Sequence, residues 1–456
     1  MAERPSQVVI IGGGMAGLFA AAACAAAGTP ATIAERDTLR AVPASRKGVP
    51  QDRQAHVLLH RGLIAAEELL PGLQDDLIAH GGVQFDTGAM PWLGEYGWLP
   101  TWIPSYEFIS TTRPLLEHVV RQRVRALRGV VIQDGVEVNE LRRSSRGWRI
   151  GCADSTVYEA DLVIDASGRS SRLSHWLNAL GVSVPGPRIV DAQLGYACRV
   201  YRTRGPLPIS AGIMVTATPE SGAGGLALPV EDGRWLVIAT GYGEHRPSRG
   251  VGEFDQFLAD LRDPAVADLA RILEPVSDVA TYRQTGNRRQ RYGESRRWPD
   301  GLIAVGDAYC TFNPAFGQGM TVAAAQALLL RDALASGGAR PARRLQRRIG
   351  AVADLPWSVV TSEDLRFPSS AGRQNVGQRL LGAWTAELGR LAAHGDRRSY
   401  RAFARVYHLM GSPLLFFHPA LFVSAARSLL RGRPPAAPRP AMLDGLSSAL
   451  PQTQGP

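Results

Sequence analysis

Val8-Val-Ile-Ile-Gly12-Gly-Gly14-Met15-Ala16-Gly17-Leu18 is the stretch that decides the fold. Four apolar residues read as a buried strand, three glycines follow at Gly-x-Gly-x-x-Gly spacing, and an alanine-rich stretch of helix-forming composition continues to Gly28. Ala31 to Ala34 resumes as a second strand ending at Glu35, which closes a β-α-β unit within about thirty residues. Each glycine has a physical task. Gly12 permits the tight turn, Gly14 lets the backbone approach a pyrophosphate, and Gly17 lets helix and strand pack closely. The helix N-terminus offers unpaired N–H groups to the anion. Glu35, 23 positions after Gly12, is placed to accept hydrogen bonds from adenosine ribose hydroxyls. Met15, Ala16 and Arg36 complete the expected contacts around this turn. A carboxylate at position 35 disfavours a 2′-phosphate, so the motif predicts FAD or NAD and not NADP.

The strand-then-glycine pattern returns twice, at Leu162 to Asp165 before Ala166-Ser167-Gly168 and at Leu302 to Val305 before Gly306-Asp307. Arg113 to Leu127 reads as a helix, with strands over Val130 to Val138 beside it. Between the last two of these strands lie about 135 residues of different character. Stretches such as GYACRVYR (195–202) and RWLVIATG (234–241) alternate, with turns rich in Gly and Pro, as in an antiparallel sheet. The sequence therefore predicts an α/β fold. A Rossmann-like dinucleotide-binding domain (1–82, 105–186 and 286–340) carries an inserted, mainly antiparallel β-sheet substrate domain (83–104 and 187–285). A C-terminal helical region (341–430) and a disordered tail (431–456) of Pro, Arg, Ser and Gln follow.

The 456 residues suffice for two or three domains. Lys plus Arg number 51 against 41 Asp plus Glu, a formal charge of +10. Positive charge in stripes would point to nucleic acid. Here it is arginine scattered among acids, with Lys47 the only lysine and no aromatic-basic ladder, so nucleic acid is not expected as a partner. Cys24, Cys152, Cys198 and Cys310 lie far apart without a C-x-x-C pair or histidines at ligand spacing, so neither zinc nor a disulfide framework is expected. The N-terminal residues lack the order of a secretory signal, which makes the cytoplasm the expected location. Leu409 to Ala425 is apolar but broken by Pro413, His418 and Pro419. It reads as a buried helix pair, with no stable membrane insertion.

A second constellation is Gly306-Asp307-Ala308, followed by Pro314-Ala-Phe-Gly317-Gln318-Gly319-Met320 and a long Ala-rich helix. Asp307 is placed to hydrogen-bond a sugar-alcohol chain such as the ribityl of FAD. The helix beginning near Gly319 aims its positive end at the charge a reduced flavin carries around N1 and C2=O. Pro314, Gly317, Gln318, Gly319 and Met320 are the contacts expected of this loop. A nucleotide-only protein has no use for such a site, so FAD is the cofactor that accounts for both motifs. The third constellation is Asp161-Leu-Val-Ile-Asp165-Ala-Ser-Gly168-Arg-Ser-Ser-Arg172.

Together the three motifs resemble the FAD-dependent monooxygenases of the para-hydroxybenzoate hydroxylase type, over the chain to about residue 430. The segments Lys47 to His56, Gly195 to Arg199, Pro229 to Trp235 and Phe312-Asn-Pro314 are most similar to bacterial polyether epoxidases, which act on polyene precursors. The resemblance implies that Arg113 reaches the FAD phosphates or ribityl, that Arg46 lies near the cofactor, and that Val138 meets the adenine through its backbone. It implies oxygen insertion from O2 into a large apolar natural-product intermediate, as in antibiotic biosynthesis, by alkene epoxidation through a flavin C4a-hydroperoxide. Aromatic-ring hydroxylation, or a flavin-dependent reductase or desaturase, are the alternatives. NADPH or NADH supplies the electrons, directly or through a flavin reductase. Where the family has Gly-Ala-Asp-Gly, this chain has Asp165-Ala-Ser167-Gly168. The missing aspartate is associated with flavin and nicotinamide contacts, and its loss favours a separate reductase.

Because the flavin carries the hard step, no catalytic side chain or metal is expected, and His56 reads as a packing residue. The Trp- and Pro-rich segment Pro91 to Pro104 suits either core packing or the lining of an apolar pocket. In the second case the substrate is a polyene, a terpenoid or a prenylated aromatic. Flavin halogenases carry W-x-W-x-I-P and a lysine well beyond the glycine turn. Trp98 and Trp102 have the wrong spacing for that motif, and Lys47 comes too early.

Overall fold

In the computed structural model, which describes residues 5–145, 147–337, 342–433 and 435–448, five parallel strands form the spine of the dinucleotide-binding region. Their spatial order places β1 (Val8–Ile11) at the centre, β2 (Ala31–Glu35) and then β3 (Val130–Asp134) on one side, and β4 (Leu162–Asp165) and then β5 (Leu302–Ala304) on the other. Strands β1, β4 and β5 are buried at every position, as strands covered on both faces must be. Helix α1 (Met15–Ala26) lies on this sheet between α2 (Arg113–Arg125) and α3 (Gly319–Ala335). Its alanines let it sit close to the small residues Ala323, Ala324 and Ala327 of α3 in one buried cluster.

The glycine turn is where this packing is least forgiving. A Cβ on Gly17 would lie 1.9 Å from the Gly12 carbonyl oxygen. Gly12 itself has φ +100°, and its Cβ would meet the Ala166 carbonyl at 2.7 Å.

The second sheet has eight strands. Leu194–Arg202, Ala223–Val230 and Arg234–Tyr242 pair antiparallel along nearly their full length. Ile213–Val215 continues the sheet and pairs parallel with Trp92–Gly94, so the segment around residue 92 joins it from far away in sequence. Alternation divides the two faces. Ala197, Val237 and Ala239 pack on the helices Val251–Ala259 and Ala265–Ile272 through Phe254, Leu258 and Leu269. Tyr196, Leu226, Leu228 and Ile238 face a large cavity instead. The helices Val376–Ala393 and Arg397–Tyr407 close that cavity from the other side.

Two expectations are corrected. The tail from 431 is ordered in part. Ala441–Leu443 and Asp444–Ser448 form short helical turns, Leu443 and Leu446 are fully buried in the cluster around Phe254 and Leu269, and Arg439 pairs with Asp263 at 2.9 Å. Two leucines that land in a ready groove, with one ion pair, outweigh a composition poor in apolar residues. Residues 449–456 lie outside the described residues. The stretch from Leu409 to Ala425 is not a buried helix pair. Pro413–Phe417 is a single 3-10 turn, and Leu414, Phe417, Phe422 and Val423 are exposed. The turn breaks the segment into short pieces, each with one face on the body. Among the described residues no helix is long and apolar enough to cross a membrane.

The steric difference between Gly17 and Gly14, whose Cβ would meet nothing nearer than an Arg46 nitrogen at 3.7 Å, is directly testable. Gly17→Ala is expected to cost about 3 kcal/mol in stability by overpacking, and Gly14→Ala less than about 1 kcal/mol, by thermal and urea unfolding. Equal melting temperatures for the two variants would refute this account of the turn.

Candidate functional site

The C-terminal ends of β1, β4 and β5 open on one cavity of about 1130 Å³, the side of a doubly wound sheet where ligands bind. Every cofactor contact expected from the sequence lines this cavity except Gly17, which lies at the helix-strand contact described above. Arg36, Val138, Gly14, Arg46, Arg113, Asp307 and the Pro314–Met320 loop thus share one space, although they come from five separate parts of the sequence.

Glu35, at the end of β2, accepts from Gly13 N at 2.6 Å and from Asp37 N at 2.9 Å, and Arg46 lies 3.3 Å from it. Each carboxylate oxygen retains acceptor capacity for a ribose hydroxyl. Arg46 also contacts Asp37 at 3.0 Å and Glu117 at 2.7 Å, and hangs over the Gly14 turn. Glu117 in turn receives Arg113 at 2.7 Å and lies 3.7 Å from Arg121. Burial alone would raise the Glu117 carboxyl, but Arg113 and Arg46 hold it below the usual carboxylate range. Sequence reasoning missed Glu117 and Arg121. Their signal was present as positions one and two turns after Arg113 on a single helix face.

The third motif has a structural role in this arrangement. Asp165 is fully buried, and it accepts Ser167 N at 3.1 Å, Ser167 Oγ at 2.5 Å and Ser171 Oγ at 2.5 Å. Burial raises its carboxyl, while these bonds oppose the rise. The turn so fixed presses on Gly12, whose Cβ would lie 2.9 Å from the Ser167 Cα.

At the other motif, Asp307 faces the cavity, and desolvation raises its carboxyl to about 6 against the pull of Arg169 and Arg113. Helix α3 begins at Gly319 with no side chain capping its first turn, so its N–H groups remain available to an anion. Arg113 Nε and Gln318 Oε1 are buried without a partner among the described residues. A backbone cradle at Gly12–Gly14, an acceptor at Glu35, orphaned polar atoms on Arg113 and Gln318 and an uncapped helix end at Gly319 together fit FAD. The loop before α3 is held from behind. Asp364 accepts from Asn287 Nδ2 at 2.6 Å and Asn313 Nδ2 at 2.8 Å, and Asn313 Oδ1 accepts from Ala315 N at 3.0 Å. Burial raises Asp364 to about 7, with the two asparagines opposing the rise.

The Pro91 to Pro104 segment divides. Trp92 and Tyr96 line the cavity, Trp98 is buried in the sheet cluster, and Trp102 is exposed. Trp92 is fixed by Thr216 Oγ1 at 2.8 Å and by the edge of Tyr407 at 5.4 Å. His56 lines the cavity with Nδ1 2.9 Å from the Gln54 carbonyl, and burial followed by the Arg113 charge pushes it down to about 3. The sequence reading also missed the C-terminal wall, where Thr385, Phe403 and Tyr407 face the same space.

Residues 5–346 match the family described as FAD binding domain. Protein Rv3254 of Mycobacterium tuberculosis is 33% identical over 347 residues, covering 72% of this chain and 73% of that protein. Rifampicin monooxygenase of Streptomyces venezuelae is 24% identical over 317 residues, covering 69% and 61%. Among solved structures, the anhydrotetracycline hydroxylase OxyS of Streptomyces rimosus superposes with a TM-score of 0.54 at 18% identity, over 88% of this chain and 76% of that one.

Asp307→Ala is expected to weaken FAD retention at least about tenfold, and Gly14→Glu to abolish it. Normal flavin content in both purified variants would refute the cofactor assignment. Because Asp307 titrates at about 6, acidification through that value protonates the acceptor. FAD affinity should therefore fall below that pH, measured by flavin fluorescence titration, while Asp307→Asn should show a flatter profile.

Proposed function

Since the chain belongs to the FAD-binding domain family, that of the flavin-dependent monooxygenases, we propose that it inserts one atom of O2 into a large apolar natural-product intermediate by alkene epoxidation. The observation that carries this reading is the continuation of the cavity past the cofactor cradle. Its walls include Trp92, Met214, Leu226 and Leu228 from the sheet and Phe403 and Tyr407 from the C-terminal helices, a surface suited to an apolar substrate fixed by few polar groups. FAD, once reduced, supplies the oxygen-activating chemistry.

The residues bind, orient and exclude water. Arg46 and Arg113, both in the cavity lining, would hold the cofactor's pyrophosphate, and the uncapped end of α3 would stabilise negative charge near Gly319. Burial pushes the Tyr407 and Tyr96 phenols up to about 12, so both remain hydrogen-bond donors. His56, held down to about 3, is too weak a base to draw a proton from a substrate. Oxygen transfer to an alkene requires no such proton removal, whereas a phenolic ring is activated by losing one. Ser167 stands where the family carries an aspartate, which supports electron delivery from NADH or NADPH through a separate flavin reductase.

The test supplies the holoenzyme with NADH, a flavin reductase and 18O2, over a panel of linear polyenes, terpenoids and prenylated aromatics. The expected product carries one 18O and has lost one alkene. A labelled ring hydroxyl with every alkene intact would shift the assignment to hydroxylation, and turnover without O2 would shift it to a reductase or desaturase. Leu226→Trp, which narrows the chamber, is expected to lower kcat/KM for a long polyene about tenfold with flavin content unchanged.

A further inference from the structure

We propose that residues 376–433 form a docking surface for an anionic lipid bilayer, on which the protein rests with the C-terminal wall of its cavity against the membrane. The surface has two independent features. The first is apolar exposure. On the helix Pro419–Arg431, Phe422, Ala426 and Leu429 follow one line, with Val423 and Leu430 beside it, while Leu421 and Ala425 point into the body. Leu429 and Leu430 are 80% and 86% exposed, which leaves both side chains almost wholly in water. Phe422 stacks on Trp384 at 4.5 Å, joining this stripe to the helix Val376–Ala393. One turn before Trp384, Leu380 is 69% exposed, and Leu414 on the neighbouring turn is 74% exposed.

The second feature is charge. Between residues 371 and 433 the sequence has ten arginines and two acids, a formal +8 out of the chain's +10. Both acids are already engaged. Glu387 pairs with Arg433 at 2.6 Å, and Asp396 accepts from Ser399 N at 2.7 Å and Ser424 Oγ at 3.0 Å. Arg427 and Arg431 follow the apolar stripe around the helix and are exposed. A second copy of this chain would bring the same positive charge against it, which disfavours self-association. A bilayer with anionic headgroups satisfies both features at once, since leucine and phenylalanine enter the acyl boundary and guanidinium groups stay at the headgroups.

The placement has a consequence for the cavity. The helix that shows Val376 and Leu380 to the outside turns Leu381, Thr385 and Gly389 into the cavity lining. Phe416, beside the exposed Leu414 and Phe417, also lines it. An apolar compound dissolved in the bilayer thus meets the protein at the wall of its own chamber. The docking itself does not depend on the reaction proposed above, and vesicle binding is read separately from 18O incorporation.

The experiment uses the FAD-loaded full chain and sedimentation with vesicles of phosphatidylcholine alone or mixed with phosphatidylglycerol. Binding is expected to the mixed vesicles only and to weaken with added salt. Leu429→Glu/Leu430→Glu and Arg427→Glu/Arg431→Glu should each reduce partitioning about tenfold or more. All four side chains are exposed, so the flavin spectrum and thermal melting should not change. No binding to mixed vesicles would overturn the proposal. So would binding unaffected by the leucine changes, which would show that the apolar stripe does not enter the bilayer. A concentration-dependent dimer in sedimentation velocity that the leucine changes abolish, without vesicle binding, would assign it to a second copy.

Discussion

A missing methyl group at Gly17 sets the distance between α1 and β1, because the Gly12 carbonyl occupies the place a Cβ would take. That distance propagates through the small residues of α1 to α3, which rests on them, and so to Asp307 and the helix end at Gly319. On the other side, the Asp165–Ser167 turn also packs against Gly12 too closely to admit a Cβ there. Glu35 and Asp307 thus share one rigid reference, although they are separated by most of the chain. Close packing of this kind transmits small displacements without absorbing them.

Burying a carboxylate costs several kcal/mol unless it is paired, and Glu117 is paired with Arg46 and Arg113, with Arg121 close by. The acid therefore serves to hold two guanidinium groups at the cavity wall in fixed orientations. Arg113 Nε retains a donor without a partner among the described residues. Preorganised donors of this sort lose little on binding, because they have already been desolvated and oriented.

The parallel strands and the antiparallel insertion were legible because hydrophobic period and glycine spacing are local properties. Gly12, Gly14 and Asp307, each just after a strand, and Glu35, the last residue of one, come from the same local pattern, and the structure brings all four to one cavity. What escaped depends on contacts remote in sequence. Glu117 acquires its role only when Arg46 approaches from 71 positions away. Asp364 becomes a support for the loop before α3 only through Asn287 and Asn313. The C-terminal wall of the chamber has no motif at all, because apolar residues facing a cavity and apolar residues facing a core are the same letters. Leu443 and Leu446 show the converse, where a composition that suggests disorder is overruled by a groove.

The alternation of the larger sheet separates two kinds of heritable change. Along Ala223–Val230, Leu226 and Leu228 meet the chamber while Ala227 meets the helices behind. Along Leu194–Arg202, Tyr196 meets the chamber and Ala197 the core. The chamber face is itself packed, since Tyr196 and Leu228 are buried in clusters of their own. A change on that face reshapes the chamber through one layer of side chains, while the helices behind the sheet keep their own contacts through the other.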